Sequence, residues 1–118
     1  MKQTLPIVKK IVKALDDKKA IDIRVIKIED LTTLAEYFVI CNGTSTTQIK
    51  TLADEVEVMM TEQGEKIIHR EGYSAGNWIL LDYGFIIVHV FHKDMREYYN
   101  LERLWADGEM IEISTFLK

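Results

Sequence analysis

Apolar residues recur at intervals of three and four from Leu5 to Leu15, which predicts an amphipathic helix near the start of the chain. Thr4 and Pro6 stand where a hydroxyl can cap this helix and where a proline fits its first turn. The pattern ends near Lys19, and the next residues, IDIRVIKI, alternate between apolar and polar positions. Such alternation predicts a strand with one wetter face.

A second strand and a second helix are predicted after the connector EDLTTLAE. The run YFVICNG is apolar at nearly every position, which predicts a strand buried on both faces. Hydroxyl residues between Thr44 and Thr47 then offer helix caps, apolar residues follow at helical spacing, and Gly64 marks the end of the helix. The next residues, EKIIHR, predict a short strand, which the loop EGYSAGN follows.

Residues 78–92, WILLDYGFIIVHVFH, are predicted to form a hairpin whose two-residue turn is Tyr83 and Gly84. Trp78 then lies opposite His89. Because side chains alternate across a strand, one face of the hairpin is aliphatic and suits a core. The other face is apolar and aromatic, so either helices cover it or part of it is a patch for a partner. This second face carries Trp78, Leu80, Phe85, Ile87, His89 and Phe91.

The order of elements predicts the fold class. The residues KDMREYYNLERLW are predicted to be helical, with Asp94 as a possible cap, and the remaining tail has no clear period. The last strand pair must be antiparallel, so the sequence predicts an α+β fold with a mixed sheet of about five strands and helices packed on it. Residues 1–106 are expected to form a single domain, and residues 107–118 an extension of it or a loose tail.

Charge and composition limit the classes of partner that the protein is expected to bind. The formal net charge is −4, so the molecule as a whole repels phosphate and little direct binding to nucleic acid is expected. The apolar runs are too short to span a bilayer and the start has no secretory signal, which predicts a cytoplasmic protein without a membrane partner. Cys41, the single cysteine, lies in an apolar run and is expected to be a buried thiol.

The polar residues of the hairpin do not predict an active site. Alternation directs His89 and His92 to opposite faces, so both cannot hold one metal ion from the same strand. In the predicted register Asp82 lies roughly 13 Å from His89, which excludes a hydrogen-bonded dyad. His69 belongs to another strand and could approach either residue. No metal and no cofactor are predicted.

The turn NGTSTT raises an enzymatic alternative. A glycine and a serine between a strand and a helix can hold a phosphate with backbone amides, and the turn resembles that of nucleotidyltransferases. It lacks the spacing of a P-loop, and the next strand, KIIHR, carries none of the metal-binding carboxylates that such enzymes use. A nucleotide-binding or nucleotidyltransferase-like enzyme using Gly43 to Thr47 remains the alternative hypothesis.

Most of the chain, from the first helix to Trp105, closely resembles the ribosomal silencing factor family, also called the Iojap family. The resemblance is carried by residues 71–105, by YFVICNGTS at 37–45 and by ADEV at 53–56. The motifs GxW, LLDYG, VHVFH and YxLExLW occur in order at the family's spacing. One position departs from the pattern, since Phe85 stands where the family usually has an acid.

The resemblance implies a non-enzymatic cytosolic factor of translation. Members bind the large ribosomal subunit at its protein fourteen and so block joining of the small subunit during starvation. Their fold resembles that of nucleotidyltransferases without the catalytic carboxylates, and homodimers are seen. Combined with the aromatic second face, this leads to the hypothesis that one set of residues supplies the partner contact: Trp78, Leu80, Tyr83, His89, Phe91, Tyr99, Leu104 and Trp105.

Overall fold

The computed structural model describes residues 4–28, 35–94, 109–111 and 113–116. Two helices and six strands occur in this part of the chain, with a 3₁₀-helix at its end. They are α1 (Thr4–Asp17), β1 (Ile21–Lys27), β2 (Tyr37–Gly43), α2 (Thr46–Glu62), β3 (His69–Glu71), β4 (Trp78–Asp82), β5 (Ile86–His92), β6 (Glu109–Ile111) and the 3₁₀-helix Ile113–Phe116. The connector 29–34 and the predicted C-terminal helix beyond residue 94 lie outside the described residues.

The six strands form one mixed sheet in the order β3-β4-β5-β2-β1-β6. The central pair β2 and β5 is parallel, and the four other pairs are antiparallel. The predicted α+β class and mixed sheet are therefore confirmed. The prediction of about five strands missed β6, which pairs with β1 through Glu109, Met110 and Ile111. Three residues are too few for a periodic pattern to be detected.

Both described helices pack on the same face of the sheet. Their buried residues, including Val8 and Ile11 of α1 and Leu52 and Val56 of α2, share one core with apolar side chains from the strands, such as Val39. The predicted cap of α1 is wrong, because the helix already includes Thr4. The hydroxyl of Thr4 instead donates to Oε2 of Glu36 at 2.8 Å and so links the helix to the residue before β2.

The central position of β2 explains its sequence. Every residue from Tyr37 to Gly43 is buried, because β2 lies between β1 and β5 and has apolar side chains on both faces. The prediction of a strand buried on both faces is confirmed, and the thiol of Cys41 is buried, as expected. A chain segment of this kind must satisfy its backbone groups through its neighbours, which β1 and β5 do.

The second helix follows its sequence signals closely. Ser45 is the N-cap, and its hydroxyl accepts a hydrogen bond from the Gln48 amide at 3.1 Å. Gly64 has a φ of +77° just after the helix ends, a conformation that favours glycine. Its buried residues recur at helical spacing and face the sheet. The predicted bounds of this helix are confirmed.

Two strands differ from their predictions in detail. In β1, Asp22 has a φ of +51° and the pairing with β2 shifts between Ile21 and Arg24, so the alternation is broken by a bulge. The predicted strand EKIIHR begins only at His69. Ile68 lies before it and is 68% exposed, although its amide still donates to the carbonyl of Asp82 at 2.8 Å. The predicted strand is too long because it includes the apolar residues before His69.

Candidate surface at the hairpin β4–β5

The turn of the hairpin is Gly84 and Phe85, and the predicted turn at Tyr83 and Gly84 is wrong. The Tyr83 amide donates to the carbonyl of Ile86 at 3.0 Å, so these two residues form the last pair before the turn. Gly84 has a φ of +87°, the sign required at the first residue of a type I′ or II′ turn. The Gly84 amide also donates to Oδ1 of Asp82 at 2.8 Å, which fixes the turn one residue later than predicted.

The true register pairs Trp78 with Phe91, Leu80 with His89 and Asp82 with Ile87. It differs by two residues from the predicted register. Because side chains alternate with a period of two, a shift of two leaves the side chains of both strands on their predicted faces. Phe85, which was predicted on the second face, lies in the turn and packs against the core on the helix side instead. The residues of the first face are all buried and belong to the core under the helices: Ile79, Leu81, Ile86, Val88 and Val90.

The second face forms a separate apolar cluster on the side of the sheet away from α1 and α2. It brings together Phe91 and residues of β1, β2 and their flanks, with Trp78 and Ile87 packed at its border. Its buried members are Ile26, Ile28, Ala35, Phe38, Ile40 and Phe91. Most of this face is therefore buried, and the exposed part of the hairpin is limited to half-buried residues such as Trp78 and Leu80.

Trp78 is held on more than one side. Its indole N–H donates to Nδ1 of His89 at 3.1 Å, diagonally across the β4–β5 pair. Its ring stacks on Phe91, with 4.9 Å between centroids and 23° between planes. His89 in turn meets Phe38 of β2 edge to face at 5.0 Å. Three aromatic side chains and one imidazole thus form a single packed group across three strands.

The imidazole of His89 is neutral and buried. Since Nδ1 accepts the indole hydrogen bond, the proton of the neutral ring is on Nε2. Nε2 is buried and has no hydrogen-bond partner in the part of the chain that the structure describes. Burial lowers the pKa of His89 to about 4, because the charged ring would lose its hydration. In the true register Asp82 lies opposite Ile87, two residues along the strand from His89 and not four as predicted. The hydrogen bond of the Asp82 carboxylate is to the Gly84 amide, and that of His89 is to Trp78.

Tyr83 does not lie on the second face. It is 4% exposed and belongs to the core on the helix side, where its hydroxyl is buried and meets no hydrogen-bond partner within the described ranges. Burial, together with the negative charge of Glu57, raises the pKa of the Tyr83 hydroxyl to about 12. The placement of Tyr83 at an exposed turn is therefore wrong, since the turn begins one residue later.

Comparison with known proteins identifies the family. Residues 2–118 match the family described as "Ribosomal silencing factor during starvation". This chain belongs to the ribosomal silencing factor family. The Ribosomal silencing factor of Halalkalibacterium halodurans is 43% identical over 102 residues, which cover 86% of this chain and 87% of that protein. The resemblance drawn from the motifs is confirmed.

A solved structure and a more distant relative agree with this assignment. A crystal structure of a protein from Chromobacterium violaceum superposes with a TM-score of 0.85 at 37% identity, covering 90% of this chain and 88% of that one. A Mus musculus protein named "Mitochondrial assembly of ribosomal large subunit protein 1" is 30% identical over 111 residues, which cover 88% of this chain and 49% of that protein. The bacterial relative is named as a silencing factor and not as an enzyme.

The polar groups of the Gly-Ser turn form hydrogen bonds within the protein itself. Oε1 of Gln48 accepts from the Thr44 amide at 2.7 Å, and the Gln48 amide donates to Ser45. The side-chain amide of Gln48 also donates to the carbonyl of Lys19 at 3.1 Å, which ties the turn to the end of α1. These bonds give the polar residues of the turn a structural role.

The strand after the turn carries one carboxylate, which corrects the expectation that it has none. β3 extends to Glu71, whose Oε1 lies 2.7 Å from Nε2 of His69. Across the described ranges, no three His, Cys, Asp or Glu side chains are grouped so that they could hold a metal ion. In the same part of the chain neither helix has the length and apolar character needed to cross a membrane.

The structure brings together only part of the predicted contact set. Trp78 and Leu80 are half-buried neighbours on the second face, while His89 and Phe91 are buried behind them. Tyr83 lies in the core on the helix side, and the remaining three predicted residues, Tyr99, Leu104 and Trp105, lie outside the described residues. Sequence reasoning missed Phe38, which packs against His89 from β2. Its position follows from the parallel register of β2 and β5, and no local pattern reveals that register.

Proposed function

We propose that this protein binds the large ribosomal subunit through protein fourteen and blocks joining of the small subunit, which represses translation during starvation. The family match over residues 2–118 carries the proposal. The name of the mouse relative, which refers to assembly of the ribosomal large subunit, supports the choice of subunit. In this proposal the protein acts in the cytoplasm and can form a homodimer.

Trp78 and Leu80 form the docking surface of this proposal, together with Tyr99, Leu104 and Trp105 as further predicted contacts. Trp78 and Leu80 project from the same side of β4 and are both half-buried, so they have apolar area left to cover. Aromatic anchors of this kind dominate the free energy of many protein interfaces. His89 and Phe91 support the surface from behind, and Tyr83 supports the fold on the opposite side.

The proposed mechanism is steric and needs no reacting group. A bound protein with extents of 36 × 32 × 30 Å occupies enough space to prevent a second subunit from closing on the same site. The formal net charge of −4 favours a protein partner on the ribosome over bare RNA, because phosphates repel an acidic protein. Specificity then depends on shape and on the apolar anchors.

A sucrose gradient tests the proposal. The protein should sediment with large subunits and reduce the fraction of joined ribosomes when both subunits are mixed. Trp78→Ala should weaken the association about thirtyfold, because a buried aromatic anchor contributes ~2 kcal/mol or more. Val58→Ala is the matched control, since Val58 is an exposed apolar residue on α2, on the other side of the sheet.

Two results would contradict the proposal. If the folded wild-type protein stays at the top of the gradient in the presence of large subunits, the ribosomal role is wrong. If the wild type binds and Trp78→Ala binds equally well, the role stands and the docking surface lies elsewhere. Circular dichroism of each variant before the gradient establishes that it is folded.

A further inference from the structure

The buried imidazole of His89 is an unusual choice for a core position. Its Nε2 proton is buried and has no acceptor among the described residues, and a buried donor without an acceptor destabilises a fold. A leucine of similar size would avoid that penalty. The ring makes one hydrogen bond among the described residues, in which Nδ1 accepts from the indole of Trp78. The hydrogen bond to Trp78 is therefore the interaction through which this imidazole can have a function.

The contacts of Trp78 fix both the plane of its indole ring and the direction of the indole N–H. Stacking on Phe91 sets the plane of the indole, but a stacked ring can still turn within that plane. The hydrogen bond to His89 sets the direction of the indole N–H. His89 itself is held by Phe38, which meets it at 71° between ring planes. Together these contacts leave the half-buried indole with one orientation before any partner arrives.

We propose that His89 is a positioning residue, which orients the indole of Trp78 for docking through the Nδ1 hydrogen bond. The inference rests on the proposed function, in which Trp78 is an anchor. A side chain that is ordered before binding loses less conformational entropy on binding, so affinity rises without a new contact. The bond also satisfies the indole donor inside the protein, so the partner need supply no acceptor and meets an apolar ring.

The first measurement is made on the free protein. In a ¹⁵N spectrum the indole N–H of Trp78, assigned by its loss in Trp78→Phe, should exchange slowly with solvent because it is hydrogen-bonded. His89→Leu should shift this resonance and speed its exchange. His89→Asn should restore slow exchange, since the Asn oxygen can occupy the place of Nδ1. His92→Leu is the control, because His92 lies on the same strand and points to the opposite face.

The second measurement is affinity for the large subunit. His89→Leu should weaken binding about two- to tenfold, the range expected for losing the order of one anchor side chain. Trp78→Phe keeps a ring and removes the donor, so His89→Leu should have no further effect on binding in the Trp78→Phe background. A residue that only filled the core would instead give independent losses that add.

The outcomes separate this inference from the proposed function. A Trp78 indole proton that exchanges as fast as a free one in the wild type overturns the positioning role, even if His89→Leu fails to fold. Additive losses of affinity in the double variant overturn it as well. If the spectra behave as expected but no protein binds the large subunit, the proposed function fails and the role in docking fails with it, while the bond itself stands.

Discussion

Lowering the pH from 7.5 to 5 should destabilise this fold through His89. Its pKa is lowered to about 4 in the folded protein because the ring is buried. In the unfolded chain a histidine titrates near ~6.5. Between these two values the unfolded state binds a proton that the folded state excludes. The stabilisation is therefore complete above about pH 6.5 and is lost as the pH falls towards 4.

The size of the effect follows from the two pKa values. Each pKa unit corresponds to about 1.4 kcal/mol, so the complete loss from His89 is about 3 kcal/mol, and about 2 kcal/mol of it has occurred at pH 5. Such a loss is a large fraction of the stability of a small domain. Protonation also removes the acceptor for the indole of Trp78, since both ring nitrogens then carry protons.

Urea unfolding followed by circular dichroism at several pH values measures this effect. His89→Asn removes the titrating ring, so its free energy of unfolding should fall less between pH 7.5 and 5, and the wild type should lose about 2 kcal/mol more. His69→Asn removes an exposed histidine and controls for the loss of an imidazole. If wild type and His89→Asn lose the same stability over this range, the buried neutral state of His89 is wrong.

Three further predictions concern the buried hydroxyl of Tyr83, the hairpin turn at Gly84 and the Gly-Ser turn before α2. Tyr83→Phe should leave the urea midpoint unchanged or raise stability by about 1 kcal/mol, because the hydroxyl makes no hydrogen bond to the described residues; a clear loss would reveal a partner. Gly84→Ala should cost about 1–2 kcal/mol in the same assay because φ is +87°, while Gly84→Asn should cost less. Calorimetry with ATP and Mg²⁺ should give no binding heat, since Ser45 and Gln48 already bond within the turn; a saturable heat would revive the enzyme alternative.

The two faces of the hairpin were predictable although its register was not. Apolar alternation assigns Ile79 and Trp78 to opposite faces, and this assignment is unchanged by a register shift of two residues. The register depends on the turn, where the side chain of Asp82 bonds to the Gly84 amide. Asp82 precedes the turn, and a hydrogen bond from its side chain leaves no periodic pattern in the sequence. The predicted turn was therefore placed one residue before the observed one.

Burial on the second face depends on pairings that are distant in sequence. Phe38 lies beside Ile87 because β2 and β5 run parallel, although about fifty residues separate them in the chain. Local patterns contain no information on such a pairing. The same limit explains why His89 and Phe91 were predicted as contact residues: their strand is apolar on both faces, and only the strand order shows which residues lie inside.

The position of β6 offers a site for a spectroscopic label. Four strand spacings separate β6 from β4, which is roughly 19 Å across the sheet. Met110 on β6 is 48% exposed, and the natural thiol, Cys41, is fully buried. A Met110→Cys variant would therefore carry one reactive thiol for a fluorophore, placed at the sheet edge far from Trp78, so that ribosome binding can be followed in real time without covering Trp78 or Leu80.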